Sequence, residues 1–262
     1  MPKATNIALR EGRFAVQAWS KGRGKPLLYL HGWSGLTDWP AELDPLTRRF
    51  KVTAPQHPGF GASTGMEQLE DFIDLALYYL DFIHALGMET PVIMGHSLGA
   101  NIAAEMAALS PCSVGKLVLV APTGLWDDEN PVADIFAMTD GQRQRITWHD
   151  PAGAEQRGLF AVPESEDGKR VAMLERTRSL SAAAKFLFPI PDKGLKKRIH
   201  RIGAPTLLLW GKSDRIVPAS YGRLFHQSIT GAQLVEVPEA GHQPLLEQPG
   251  ASMGAILRFL EA

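Results

Sequence analysis

Apolar positions along the chain fall into two rhythms. Short runs rich in apolar residues recur at 26–30, 51–55, 91–94, 116–120, 205–210 and 234–237 and read as strands; the run 26–30 is continuously apolar, as expected for a strand buried on both faces. Two further runs, 6–10 and 14–20, flank Glu11-Gly12-Arg13 and read as a hairpin. Between the buried runs the spacing changes to that of helices. Segment 67–86 carries Phe72, Leu75, Tyr79, Phe82 and Leu86 on one face and stops at Gly87. Helices are likewise predicted at 39–50, at 101–109, from Pro218 onward and at 249–262.

From 123 to 203 no strand-like run is found. That stretch holds helical pieces rich in large apolar residues, among them Trp126, Phe136, Met138, Trp148, Phe160 and Phe186. The alternation elsewhere predicts an α/β fold, a mostly parallel eight-stranded sheet covered by helices on both faces. The core then comprises 1–122 and 204–262. The helical block 123–203 is expected as a cap over the carboxyl edge of the strands, where open α/β sheets hold their ligands.

Composition narrows the function classes. Across 262 residues the net charge is −1, which gives no basic field for nucleic acid or an anionic membrane. The basic run 193–198 has no interleaved aromatics and reads as a solvated face. The single cysteine, Cys112, forbids an intramolecular disulfide and reads as a small packing residue. The first twenty residues include Lys3, Arg10, Glu11 and Arg13 and no apolar stretch, so a cytoplasmic protein without leader or membrane anchor is expected.

The chemistry starts from Gly95-His96-Ser97-Leu98-Gly99. The pattern Gly-x-Ser-x-Gly occurs three times, but at 61–65 and 250–254 no apolar strand precedes it. At Ser97 a strand turns into a helix within a few residues, which pushes the hydroxyl out at the tip of a sharp bend. A serine hydroxyl needs a base, and the base needs a group that orients it and stabilises its cation. In chain order the acid follows, then the histidine, each just after a strand. Asp214, after the run ending at Trp210, is the candidate acid, with Asp127 and Asp128 as rivals. His242, after the run ending at Val237, is the candidate base among eight histidines. The backbone N–H groups of Leu98 and Trp33 are the candidate oxyanion donors, with Gly32 leaving room beside them. Trp33, Trp126, Phe136, Met138 and Trp148 are the candidate pocket walls.

His31-Gly32, the loop His57-Pro58-Gly59-Phe60-Gly61-x-Ser63, the elbow at Ser97, Gly211-x-x-Asp214-x-Ile216-Val217-Pro218 and Gly241-His242 stand in one order. In these elements the chain resembles the α/β-hydrolases with a helical cap, over nearly its whole length outside the cap. The resemblance implies a Ser–His–Asp hydrolase of esters, thioesters, lactones, peracids or ketone-activated carbon–carbon bonds, requiring no metal or cofactor. The loop before Pro58 usually carries an acidic residue in that family, where Gln56-His57 stand here. A serine at the elbow is unlike the carboxylate nucleophile of the dehalogenases and epoxide hydrolases.

The reading is therefore a carboxylesterase-type serine hydrolase of a small to medium, fairly hydrophobic ester. A carbon–carbon hydrolase of ring-cleavage products would share the triad and differ by cap arginines that hold a substrate carboxylate. A slowly turning ligand receptor on the same fold is the other alternative.

Overall fold

The computed structural model describes residues 2–160, 164–190 and 192–262. Its strands are β1 (Thr5–Leu9), β2 (Phe14–Lys21), β3 (Lys25–Leu30), β4 (Phe50–Pro55), β5 (Val92–His96), β6 (Lys116–Val120), β7 (Thr206–Gly211) and β8 (Gln233–Val237). They form one sheet of eight strands in the order β1-β2-β4-β3-β5-β6-β7-β8. The hairpin of β1 and β2 pairs antiparallel to the rest, and from β4 to β8 every neighbouring pair is parallel. The expected alternation, and with it the mostly parallel sheet, is what the chain builds.

The two faces can be read off single strands. On β6, Leu117 and Leu119 face one apolar cluster, and Val118 and Val120 face the other. The first cluster is closed by α1 (Phe72–Ala85), α2 (Leu98–Leu109) and α6 (Ser220–Ser228), through residues such as Tyr79, Phe82, Ile102 and Phe225. The second is closed by α8 (Pro249–Glu261) and by a 3-10 run at Ala41–Arg48, through Leu43, Leu46, Ile256 and Phe259. Continuous apolar strands follow from burial on both faces.

Several expected elements shift. The helix expected at 39–50 is the 3-10 run, because Pro45 inside it cannot donate the bond an α-helix needs there. The helix expected at 67–86 begins only at Phe72, where Asp71 caps it by accepting from the Asp74 amide at 2.9 Å. A short helix, α7 (Pro244–Glu247), precedes α8.

Between β6 and β7 the described residues hold α3 (Asp140–Thr147), α4 (Pro151–Gln156) and α5 (Glu166–Leu187) and no strand. The expected cap, 123–203, includes positions 161–163 and 191, which lie outside the described residues. Its first part, 123–139, is not helical. Side chains there bond their own backbone: Asp127 accepts from Glu129 N at 3.1 Å, and Asp134 from Phe136 N at 3.0 Å. Such local bonds compete with helix.

The basic run is not simply solvated. Arg198 makes a two-pronged ion pair with Glu105, whose side chain on α2 is wholly buried. Burial pushes the Glu105 carboxyl up, and Arg198 opposes that shift. The pair fastens the chain between α5 and β7 to α2, the helix that follows Ser97. Cys112 is exposed rather than packed.

Helix α2 lies unusually close to the sheet. A Cβ on Gly99 would stand 2.1 Å from the Leu30 carbonyl oxygen, and one on Gly95 would stand 2.3 Å from that of Gly99. Both obstacles are backbone, so neither can swing aside. Gly99→Ala is expected to cost about 3 kcal/mol or more, read as a lower urea midpoint at unchanged m-value. An unchanged midpoint would show that α2 can shift away from β3.

Candidate active site

Ser97 joins β5 to α2 at φ 54° and ψ −114°. This left-handed conformation is costly for a residue with a side chain and persists only where neighbours enforce it. Here Ser97 N donates to Val120 O at 2.8 Å, and Asn101 N to Ser97 O at 3.0 Å. The hydroxyl is thereby held above the carboxyl ends of the strands.

Two loops bring the partners. His242 Nε2 lies 2.9 Å from Ser97 Oγ, and His242 Nδ1 lies 2.7 Å from Asp214 Oδ2. The other Asp214 oxygen accepts from the amides of Ile216 and Val217, at 2.8 and 3.0 Å. One carboxylate therefore shapes its own turn and faces the imidazole. Since an ionised carboxylate only accepts, Nδ1 carries a proton and Nε2 is free to accept from the hydroxyl. All three side chains are buried. The rival acids Asp127 and Asp128 are taken up elsewhere: Asp127 by Glu129 N and Asn130, Asp128 by the Trp126 indole.

The loop carrying His242 is tied from several directions. Its own amide donates to Thr147 O at 2.7 Å. Buried Glu247 accepts from Gly241 N at 2.7 Å and, through its other oxygen, from His149 N at 2.6 Å. His96 Nε2 donates to the His242 carbonyl at 2.7 Å. His96 therefore ties the elbow to the His242 loop, a contact that the chain order does not reveal. Its only sequence signal is a polar side chain at the end of an apolar strand.

The candidate oxyanion donors stand as follows. Leu98 N opens α2, a position with no acceptor inside the helix. Trp33 N finds no protein acceptor among the described residues. The space expected beside Gly32 is set by a different neighbour, since a Cβ there would stand 2.9 Å from His96 Nδ1. Beneath this loop lies a closed network. His57 N donates to His31 Nε2 at 3.0 Å, and His57 Nε2 donates to His31 O at 2.8 Å. Tyr79 OH donates to His57 Nδ1 at 2.5 Å, and His31 Nδ1 donates to Gly32 O at 2.8 Å. The bonds of His31 require its ring to be neutral, and burial favours the neutral form of His57. Burial pushes His31 down to about 4 and His96 to about 3, and holds His57 well below the ordinary histidine value. Gln56, standing where the resemblance puts an acid, anchors the loop itself by donating to Leu36 O and accepting from Ala62 N.

Two cavities meet at Trp33. A narrow slot of about 20 Å³ contains Ser97 and is lined among others by Asn101, Thr123, Ile135, Phe136 and Lys193. A larger chamber of about 510 Å³ is lined by Thr147, Trp148, Phe160, Gln243 and the charged group Asp140, Arg143 and Arg176. Of the candidate walls, Trp33 lines both, Phe136 lines the slot and Trp148 the chamber. Trp126 and Met138 line neither. The Trp126 indole is turned to Asp128, and the Met138 carbonyl holds Arg143. No cluster of metal-ligating side chains occurs among the described residues, and no helix there is long and apolar enough to cross a membrane.

A nucleophile elbow in a mostly parallel sheet, with histidine and aspartate delivered by later loops, defines a class. The α/β hydrolase fold family model matches residues 25–249, and the chain belongs to that family. It is 28% identical, over 87% of its length, to the dihydrolipoyllysine-residue acetyltransferase component of an acetoin cleaving system from Cupriavidus necator, and spans only 61% of that protein. It is also 28% identical to a pimeloyl-[acyl-carrier protein] methyl ester esterase from Nitrosomonas europaea, with 87% of this chain and 92% of that one covered. Among solved structures, a meta-cleavage product hydrolase from Pseudomonas fluorescens IP01 shares the fold, with a TM-score of 0.78 at 22% identity, covering 99% of this chain and 97% of that one. Family and esterase relative together support a hydrolase.

Proposed function

We propose that the protein is a serine hydrolase of small carboxylic esters, and that residues 123–203 act as the cap that shapes its substrate site. The observation that carries this reading is the unbroken line Asp214–His242–Ser97 at 2.7 and 2.9 Å. Ser97 Oγ attacks the ester carbonyl while His242 Nε2 takes its proton, forming the tetrahedral intermediate. Its oxyanion is held by the N–H groups of Trp33 and Leu98. His242 returns the proton to the leaving alcohol, and the acyl group stays on Ser97. Water, deprotonated by the same nitrogen, then releases the acid.

The leaving group must lie beside the nitrogen that protonates it. The chamber is lined by Gln243, next to His242, and by Thr147, whose carbonyl holds the His242 amide. The chamber is thus assigned to the alcohol and the slot to the acyl group. The slot's volume favours short acyl chains. The carbon–carbon alternative asks for cap arginines free to hold a substrate carboxylate. Arg143 and Arg176 face the chamber, but both are ion-paired to Asp140. Neither arginine is thus free of a protein carboxylate, which favours an uncharged ester.

The direct test is steady-state turnover of 4-nitrophenyl esters from acetate to octanoate. Many turnovers per enzyme, with kcat/KM falling beyond short chains, are expected. A single burst without further turnover would favour the receptor reading, and turnover confined to vinylogous diketone acids the carbon–carbon reading. Asp214→Asn keeps an acceptor for the Ile216 and Val217 amides but presents a donor to His242 Nδ1. The ring is then held in the tautomer that cannot accept from Ser97, and kcat is expected to fall about 10⁴-fold with little change in fold. A fall below tenfold would remove Asp214 from the catalytic role.

A further inference from the structure

One wall of the slot has unmet bonding capacity. Asn101 sits one helical turn after Ser97 on α2, on the same helix face. It is 1% exposed, yet neither its Oδ1 nor its Nδ2 has a hydrogen-bond partner in the protein. Thr123 Oγ1, also buried, has none either. Both residues line the slot that contains Ser97. Buried polar atoms without partners are rare, and their desolvation goes uncompensated until something fills the site. Gly124, at φ 113°, makes the arrangement possible, because a Cβ there would stand 2.4 Å from Asn101 Oδ1. Leu125, Val132, Ile135, Phe136 and Ile216 make most of the surrounding wall apolar, so these atoms form a polar spot in a largely apolar slot.

The unmet atoms specify the ligand group. Asn101 Oδ1 can only accept, Asn101 Nδ2 can only donate, and the Thr123 hydroxyl can do either. A ketone or ether oxygen would leave Oδ1 unpaired. A hydroxyl donates to Oδ1 and accepts from Nδ2 or Thr123. It is also a small group, which suits a narrow slot. On the ester-hydrolase reading, which this inference deepens, the group belongs to the acyl part of the substrate. Given one turn of helix between Ser97 and Asn101, it lies a few bonds from the carbonyl carbon.

We propose that Asn101 and Thr123 form a hydroxyl-binding subsite beside Ser97, which selects esters of short hydroxy acids. Lys193 lines the same slot and raises the competing case of an anionic acyl group. A hydroxyl answers the donor and acceptor of Asn101 together, whereas a carboxylate would confront Oδ1 with a second acceptor.

The experiment compares three 4-nitrophenyl esters: 3-hydroxybutanoate, its isostere 3-methylbutanoate, and hemisuccinate. A site built to bond a hydroxyl rejects the methyl analogue strongly, because its own polar groups are then left unpaired. The wild-type protein is expected to prefer the hydroxy ester over the methyl ester by at least tenfold in kcat/KM. Asn101→Leu and Thr123→Val are each expected to reduce that ratio, with Asn101→Leu bringing it to about one or below. Equal kcat/KM for the two esters in a wild-type enzyme that turns both over overturns the subsite. So does an equal loss on both esters in the variants, which marks a structural role. Preference for the hemisuccinate that is lost in Lys193→Met assigns the slot to an anion and also overturns it. Failure of the ester-hydrolase reading looks different: no turnover of any ester and no labelling of Ser97 by a fluorophosphonate, which overturns both.

Discussion

Ser97→Ala is expected to lower kcat on a short aryl ester by about a millionfold, with KM little changed. His242→Ala should fall by a similar factor, and the double variant by scarcely more. In serine hydrolases nucleophile and base act as one unit, so removing either forfeits nearly the whole covalent route. What remains is the binding of the ester and the stabilisation of charge by the proposed donors, Trp33 N and Leu98 N, about 10³- to 10⁴-fold over water. The geometry sharpens this expectation. His242 Nε2 has Ser97 Oγ at 2.9 Å, while Nδ1 is committed to Asp214. The fluorophosphonate adduct should vanish from the Ser97 peptide in Ser97→Ala and form slowly in His242→Ala. Ester turnover surviving in Ser97→Ala within a hundredfold of wild type would overturn the mechanism.

The second large effect is acid lability. His31, His57 and His96 are buried and neutral, each held below the ordinary histidine value chiefly by burial. In the unfolded chain they regain that value, near 6.5. Between pH 6.5 and the folded values, the unfolded state binds more protons, so stability is full above about pH 7 and falls on acidification. Each group contributes about 1.4 kcal/mol per pH unit, and the three together about 4 kcal/mol per unit near pH 5. Against a typical stability of about 5–15 kcal/mol, unfolding is expected between pH 4 and 5. Glu42 and Glu105, whose carboxyls are pushed up by burial, work the other way but begin from lower values. Urea midpoints at pH 8, 6 and 5 should fall steeply over the last step. Equal midpoints at pH 8 and 5 would mean that the His31–His57–Tyr79 network opens without penalty.

Much of this architecture was legible from pattern alone because buried parallel strands carry no polar face to confuse them. Ser97, Asp214 and His242 could be singled out, since each follows a strand and their order along the chain constrains the choice. What escaped depends on contacts between distant segments. Asn101 reads as an ordinary polar helix position until Thr123 and Gly124 are laid against it. His96 acquires a partner only when the loop of His242 arrives, 146 residues further on. The 3-10 run at Ala41–Arg48 could have been anticipated from Pro45. The loose course of 123–139 follows from Gly124, Asp127, Asn130 and Asp134, whose turn-forming capacity outweighed the apolar spacing. Size and apolarity alone place Trp126 and Met138 among the candidate pocket walls, and these properties serve core and cavity alike.

Trp33 has a consequence of its own. Trp33 lines both the slot proposed for the acid half of the substrate and the chamber proposed for the alcohol half, and its backbone amide is one of the two proposed oxyanion donors. Selectivity for the two halves is then not separable. On that assignment, any change that widens one side by trimming this ring opens the other as well, next to a proposed oxyanion donor. Variants with longer acyl acceptance should arise instead at Phe136 or Ile135, where only one compartment is touched.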